Sequence, residues 1–183
     1  MPPLVRRAID WRTAVMVGFG FAVAFGLAYR YGSTRDLVIL GAYLAALTLL
    51  LATDLDQRLL PDALTLPMIP VALAVLLFGW DPVLADKALG LASGLVAGVA
   101  FPGLLLVGSN VVHGGLGWGD VKLLVSVGLV SGVSALLVSL LVASLAFGVV
   151  LVALLAFRRV GLRSYVPFGP VIIVAAAIAV LAR

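Results

Sequence analysis

Residues 121–157 form a stretch of 37 residues in which only Lys122 is charged. As a single helix it is about 55 Å long, nearly twice the roughly 30 Å of hydrocarbon in a bilayer. The stretch has to break, and Ser131-Gly132 is where the sequence permits it, glycine being free to leave helical backbone angles. Runs of the same kind recur along the whole chain. Of its 183 residues, 64% are hydrophobic and 11% charged, against roughly 45–50% and 25% in a soluble domain. A water-soluble globule is excluded, and the expected fold is an all-α polytopic membrane protein with about seven transmembrane helices, one of them short. It forms one integral-membrane domain over residues 1–183 with no room for a sizeable extramembrane part.

The spans expected from hydropathy and turn formers are 14–29, 37–53, 63–80, 88–108, 121–130, 133–157 and 166–181. The fifth is short, so its start at Asp120 is expected inside the protein, below the headgroups. Short or broken helices at that depth commonly line cavities. Seven spans put the N-terminus and the loops 54–61, 109–120 and 158–164 on one side, together with eight of the 12 basic residues. The positive-inside bias makes that side cytoplasmic. The first span is expected to be retained, since no small-residue cleavage site follows it. Gly90, Gly94 and Gly98 repeat at four-residue spacing, which lets helix 88–108 approach a neighbour closely, inside the protein rather than across a dimer. A net charge of +4 confined to loops makes nucleic acid an unsuitable partner, and a chain without cysteine has no disulfide, thiolate metal site or cysteine nucleophile. Neither a metal nor a cofactor is expected.

In so apolar a chain each aspartate is informative, because an ionisable group near hydrocarbon is costly and usually functional. Beyond Asp10, the cytoplasmic aspartates form two clusters, one holding Asp54, Asp56 and Asp62 and the other Asp120 within Gly117-Trp118-Gly119-Asp120-Val121-Lys122. Asp62 follows Pro61 and precedes Ala63-Leu64-Thr65, the pattern of an N-cap. Asp56, two residues from Arg58, reads as a solvated or paired charge. Asp54 closes a helix, where the macrodipole disfavours an anion, so no cap explains it. Asp120 opens a helix and capping is a live alternative, but Gly117 and Gly119 beside it allow another strand of backbone to come close. A hairpin of two spans separates Asp54 from Asp120, which lets them converge on one side. Two facing carboxylates do not both ionise readily. Such a pair suits peptide hydrolysis, the ionised member taking a proton from water and the protonated one donating to the carbonyl.

These residues resemble a known family. Gly117-Trp118-Gly119-Asp120 matches the GxGD signature of intramembrane-type aspartic peptidases. The details are similar to the type IV prepilin peptidase branch: Asp54 stands eight residues before the aspartate of Leu60-Pro61-Asp62, GxGDxK extends through Lys122, and a late Pro-Phe-Gly-Pro runs from Pro167 through Gly169 to Pro170. The resemblance spans roughly residues 54–170. It implies an aspartic endopeptidase that removes the leader of pilin-like or secretion pseudopilin precursors at the cytoplasmic face of the cell membrane. Asp54 and Asp120 would be the catalytic pair, with Asp56 the rival for the first role. Gly117, Gly119, Lys122, Asp56, Asp62, Pro167 and Gly169 would bind substrate or support the site. The paired CxxC motifs of the long bacterial form are absent, so a short form without the methyltransferase domain is expected. The presenilin branch would carry Tyr-Asp and Pro-Ala-Leu motifs, which are not found.

Three further residues or motifs have plain readings beside functional ones. His113, the single histidine, reads as structural or interfacial. Lys122 can stabilise an aspartate's charge, bind a substrate carboxylate, or reach to headgroups. Residues 167–170 can border the site or only cap and kink a helix. The competing function is a small proton- or cation-coupled transporter using the same aspartates, although no internal repeat supports it. A third is a non-catalytic assembly subunit whose aspartates cap helices.

Overall fold

The computed structural model describes residues 11–57, 61–84, 87–111, 117–157 and 168–182. Its regular elements are all helical: α1 (Trp11–Arg30), α2 (Thr34–Gln57), α3 (Asp62–Leu77), α4 (Lys87–Leu95), a π-helical turn (Val96–Ala100), α5 (Phe101–Val111), α6 (Trp118–Ala156) and α7 (Gly169–Leu181). Stretches within α2, in α4–α5 and in α6 are long and apolar enough to cross a membrane, and α1, α3 and α7 contribute shorter apolar helices. This is the make-up of a membrane protein, in agreement with the all-helical expectation.

The 37-residue run breaks where expected. Gly132 has φ 69° and ψ 176°, outside the helical region, while the residues on either side are helical. A side chain at that φ is strained, and a Cβ would lie 2.7 Å from the Ser93 hydroxyl. The break leaves a backbone N–H without its helical acceptor, and Val133 donates it to Ser93 Oγ at 2.8 Å. The chain then turns back. Residues 134–139 lie against Ile178–Ala182 at the C-terminal end of α7, and Ala143 packs with Val171 and Ala175 towards its N-terminal end. Residues 118–131 are the central rod, with Leu123, Leu124, Val127, Leu129 and Val130 all buried. Residues 133–156 show Val138, Leu141, Leu145 and Val149 on their outer face.

Helix α7 is apolar on every side and buried accordingly. It packs against α1, α2 and α6. Tyr31 at the end of α1 donates from its hydroxyl to the Val180 carbonyl at 2.7 Å, so α1 and α7 end on the same level. In lipid the transfer of apolar surface no longer drives such packing, and close backbone approach takes its place. The glycine repeat serves this purpose inside the protein. A Cβ on Gly94 would meet Leu76 and the Leu129 carbonyl, one on Gly98 would meet Leu129, and one on Gly128 would stand 2.4 Å from the Ala97 carbonyl oxygen. Thus the α4–α5 rod and the central rod meet almost backbone to backbone, at the π-helical turn.

Candidate active site

Asp54 lies in the last full turn of α2 and is 4% exposed. Its carboxylate rests on Gly169, the first residue of α7: a Cβ there would be 2.8 Å from Oδ2 and 3.1 Å from Cγ. Only a residue without a side chain leaves the carboxylate that position. It also lies at the N-terminal end of α7, the positive end of that helix's dipole.

Asp120 is the third residue of α6, whose N-cap position is taken by Gly117. Asp120 therefore begins the central rod without being its N-cap. Its side chain folds back so that a Cβ on Gly117 would be 3.3 Å from Oδ2. Asp120 is half-buried, and Asp54 is near enough for its charge to act on Asp120. Among the described residues no Cα of α2 comes within 8 Å of a Cα of α6, while α7 contacts both. The two carboxylates thus face the same region from separate helices, within electrostatic reach of each other, with the start of α7 against Asp54.

The expectation that Asp62 caps α3 is corrected. Pro61 holds the N-cap position, no side chain caps the helix, and Asp62 is its first residue. Asp62 Oδ1 instead accepts from Lys122 Nζ at 2.7 Å. The proline fixes an extended backbone before the helix, which leaves the carboxylate free to reach the lysine sixty residues away. That pair gives Lys122 a definite partner and ties the start of α3 to the start of α6. Gly119 is in the first turn of α6, between Gly117 and Asp120. Asp56 is in the last turn of α2, its side chain outside the described residues, as are Pro167 and His113 entirely. Pro170, after Gly169, is buried. Among the described residues no three His, Cys, Asp or Glu side chains are grouped as metal ligands.

Two contacts lack a sequence signal of their own. Ser93 is one serine among several in apolar helices, and its role as acceptor at Gly132 depends on two helices meeting. Tyr43 on α2 and Ser126 on α6 have their hydroxyl oxygens 3.4 Å apart. The intervals within α2 give a partial hint, since Tyr43 and Asp54 are eleven residues, about three turns, apart on one face.

The sequence model described as the type IV leader peptidase family matches residues 39–152, well over half of the chain. The chain belongs to that family. The matched stretch holds Asp54, Asp120 and the Asp62–Lys122 pair, and ends before α7. Among curated relatives, the prepilin leader peptidase/N-methyltransferase of Pseudomonas putida is 36% identical over 158 residues, covering 85% of this chain and 53% of that protein. Proteins of the same description from Aeromonas hydrophila, 35% identical over 87% of this chain and 53% of theirs, and from Neisseria gonorrhoeae, 37% identical over 83% and 51%, are similar to it to the same degree. The chain spans about half the length of these relatives. No solved structure matches it.

Proposed function

We propose that this chain is an aspartic endopeptidase that removes the leader peptide of pilin-like or pseudopilin precursors. In this reading it is a single integral-membrane peptidase domain of seven crossings in the cytoplasmic membrane, with Asp54 and Asp120 facing the cytoplasm as the catalytic pair. The observation that carries the reading is the approach of these two carboxylates from α2 and α6, within electrostatic reach of each other. Membership of the type IV leader peptidase family and the names of the relatives support the substrate class.

The chemistry follows from two carboxylates that share a site and hold one proton between them. The ionised member takes a proton from water as the water oxygen attacks the scissile carbonyl carbon. The protonated member donates to the carbonyl oxygen. As the tetrahedral intermediate collapses and the C–N bond breaks, the departing amine takes the proton that the first carboxylate drew from water, and the second carboxylate recovers its own from the hydroxyl as the carbonyl re-forms. Gly117 and Gly119 leave space for an extended strand at the pair, Gly169 seats Asp54, and Lys122 with Asp62 braces the start of α6. Asp56 and Pro167 are assigned supporting roles by their positions in the sequence. The pair needs neither metal nor cofactor.

The test is direct. Asp54→Asn and Asp120→Asn, which change charge but hardly volume, should each abolish leader removal in vesicles, read by the precursor's N-terminal mass, while Asp62→Asn retains most of it. The parent should give a bell-shaped pH profile, with one limb for each protonation step of the pair, and should be indifferent to chelators. Full activity in either pair variant would end the dyad assignment.

A further inference from the structure

Helices α2 and α3 are joined by a short connection yet lie splayed, leaving a cavity of about 360 Å³ between them. Its walls are Val38, Ala42 and Ala46 on α2 and Ala63, Pro67 and Val71 on α3, with Tyr43 and Val130 towards the central rod. From Ala63 to Val75 the α3 wall is about 18 Å long, and small residues on both walls admit a close helical guest. Val71 is 60% exposed, so the cavity is a groove open to the side. On the α3 wall the groove begins one residue from the Asp62–Lys122 pair, while its α2 wall stops at Ala46, eight residues before Asp54. Ala63 follows Asp62, whose partner Lys122 lies two residues beyond Asp120, and Tyr43 lies three turns along α2 on Asp54's face. The opposite end, at Val75 and Pro82, reaches the other ends of both helices.

We infer that this groove seats the first three turns or so of the apolar helix that follows the cut in a precursor, parallel to α3, and so delivers the bond before that helix to the aspartates. The inference rests on the peptidase reading and adds where the substrate lies. A guest of this shape is preferred to a loose acyl chain because the α3 wall begins beside Asp62, whose partner Lys122 is on the first turns of α6, and is as long as about twelve helical residues.

The chain has no cysteine, so single thiols can be introduced cleanly. Val71→Cys and Ala46→Cys on the groove, and Val149→Cys on the exposed outer face of residues 133–156, are oxidised in phosphatidylethanolamine/phosphatidylglycerol vesicles with a pilin-like precursor. The precursor carries one cysteine scanned along its apolar helix. The groove thiols should form disulfides at guest positions three and four apart within about twelve residues of the cut, well above those formed by Val149→Cys. Ala42→Trp, which fills the groove, should lower precursor cleavage by about tenfold or more. Disulfides no more frequent than at Val149→Cys, or without helical period, mean that lipid fills the groove and overturn the inference, as does unchanged cleavage by a folded Ala42→Trp variant. A parent protein that cleaves no precursor refutes the peptidase reading instead, and the disulfide pattern separates the two failures.

Discussion

Replacing Gly169 by alanine isolates the contact on which the geometry of Asp54 depends. The added Cβ would stand 2.8 Å from Oδ2 and 3.1 Å from Cγ, where ordinary contact begins at 3.4 Å. The carboxylate, 4% exposed and walled in by α7, has to withdraw by about 0.6 Å or rotate, or α7 has to move. Overpacking of this sort costs about 1–3 kcal/mol. At a reacting group, a displacement approaching 1 Å costs up to about 10²-fold in rate. The expected result is a fall in kcat for leader cleavage of about 10- to 100-fold with little change in KM, because the substrate's own contacts are untouched.

The control is Gly103→Ala on α5, where nothing lies within 4 Å of the new Cβ. Helix propensity favours alanine over glycine by roughly 1 kcal/mol inside a helix, so propensity alone would make either substitution neutral or better. Cleavage kinetics in vesicles, beside the melting temperature in detergent, separate a displaced carboxylate from a damaged fold. In an Asp54→Asn background, Gly169→Ala should add almost nothing, since its effect runs through the group already changed. A Gly169→Ala variant within twofold of the parent would show that the position of Asp54 against α7 does not set the rate.

Ser93→Ala removes the acceptor of the Val133 N–H and should cost about 1–3 kcal/mol of stability, measured as earlier thermal unfolding in detergent; an unchanged midpoint would mean another acceptor replaces it. The Asp62–Lys122 pair is 62% and 26% exposed at its two side chains, so Lys122→Asp should cost no more than about 1 kcal/mol of stability. It should still slow cleavage by moving the first turn of α6, and the exchanged pair Lys122→Asp with Asp62→Lys should recover most of the rate; no recovery would assign Lys122 a role other than this contact. Ser33→Cys and Phe157→Cys should react with an impermeant maleimide from opposite sides of the membrane, Ser33→Cys from outside, and labelling of both from one side would remove a crossing.

The features legible in the sequence are those set by local chemistry and by length. A 37-residue run cannot span a bilayer as one rod, so the break at Ser131-Gly132 follows from arithmetic and glycine. Asp54 stands out because a carboxylate ending a helix has no local reason to be there. The glycines at 90, 94 and 98 announce close packing, and Gly94 and Gly98 meet their neighbours inside the protein. Asp62 misled for a local reason: proline before aspartate before a helical run looks like a cap, and only the tertiary approach of Lys122 shows where the carboxylate goes. The π-helical turn at Val96–Ala100 has no local cause either. It lies where Gly128 brings the central rod against the Ala97 carbonyl, a meeting between segments thirty residues apart.

The lengths of the rods account for how a site that needs water can exist among helices this apolar. Residues 118–131 and α7 are about 20 Å long each, some 10 Å short of the hydrocarbon thickness. They begin side by side, Asp120 near Asp54 and Gly169 against Asp54, and Tyr31 ties the far end of α7 to the end of α1. In the proposed topology the far ends stand at one membrane boundary, which puts the near ends below the other. Helix ends carry backbone groups with no intrahelical partner, and these require water or polar side chains; at that depth they are tolerated only beside protein or a hydrated cavity. In the proposed reading, the end of α2 and the starts of two short rods would therefore form a hydrated recess just inside the boundary. A long apolar helix can remain in lipid there while the bond preceding it reaches both water and carboxylates. If the proposed pair is catalytic, lengthening residues 118–131 by a turn should close that recess and stop leader cleavage without changing either aspartate, so that the placement of Gly132 would matter to hydrolysis as much as the aspartates do.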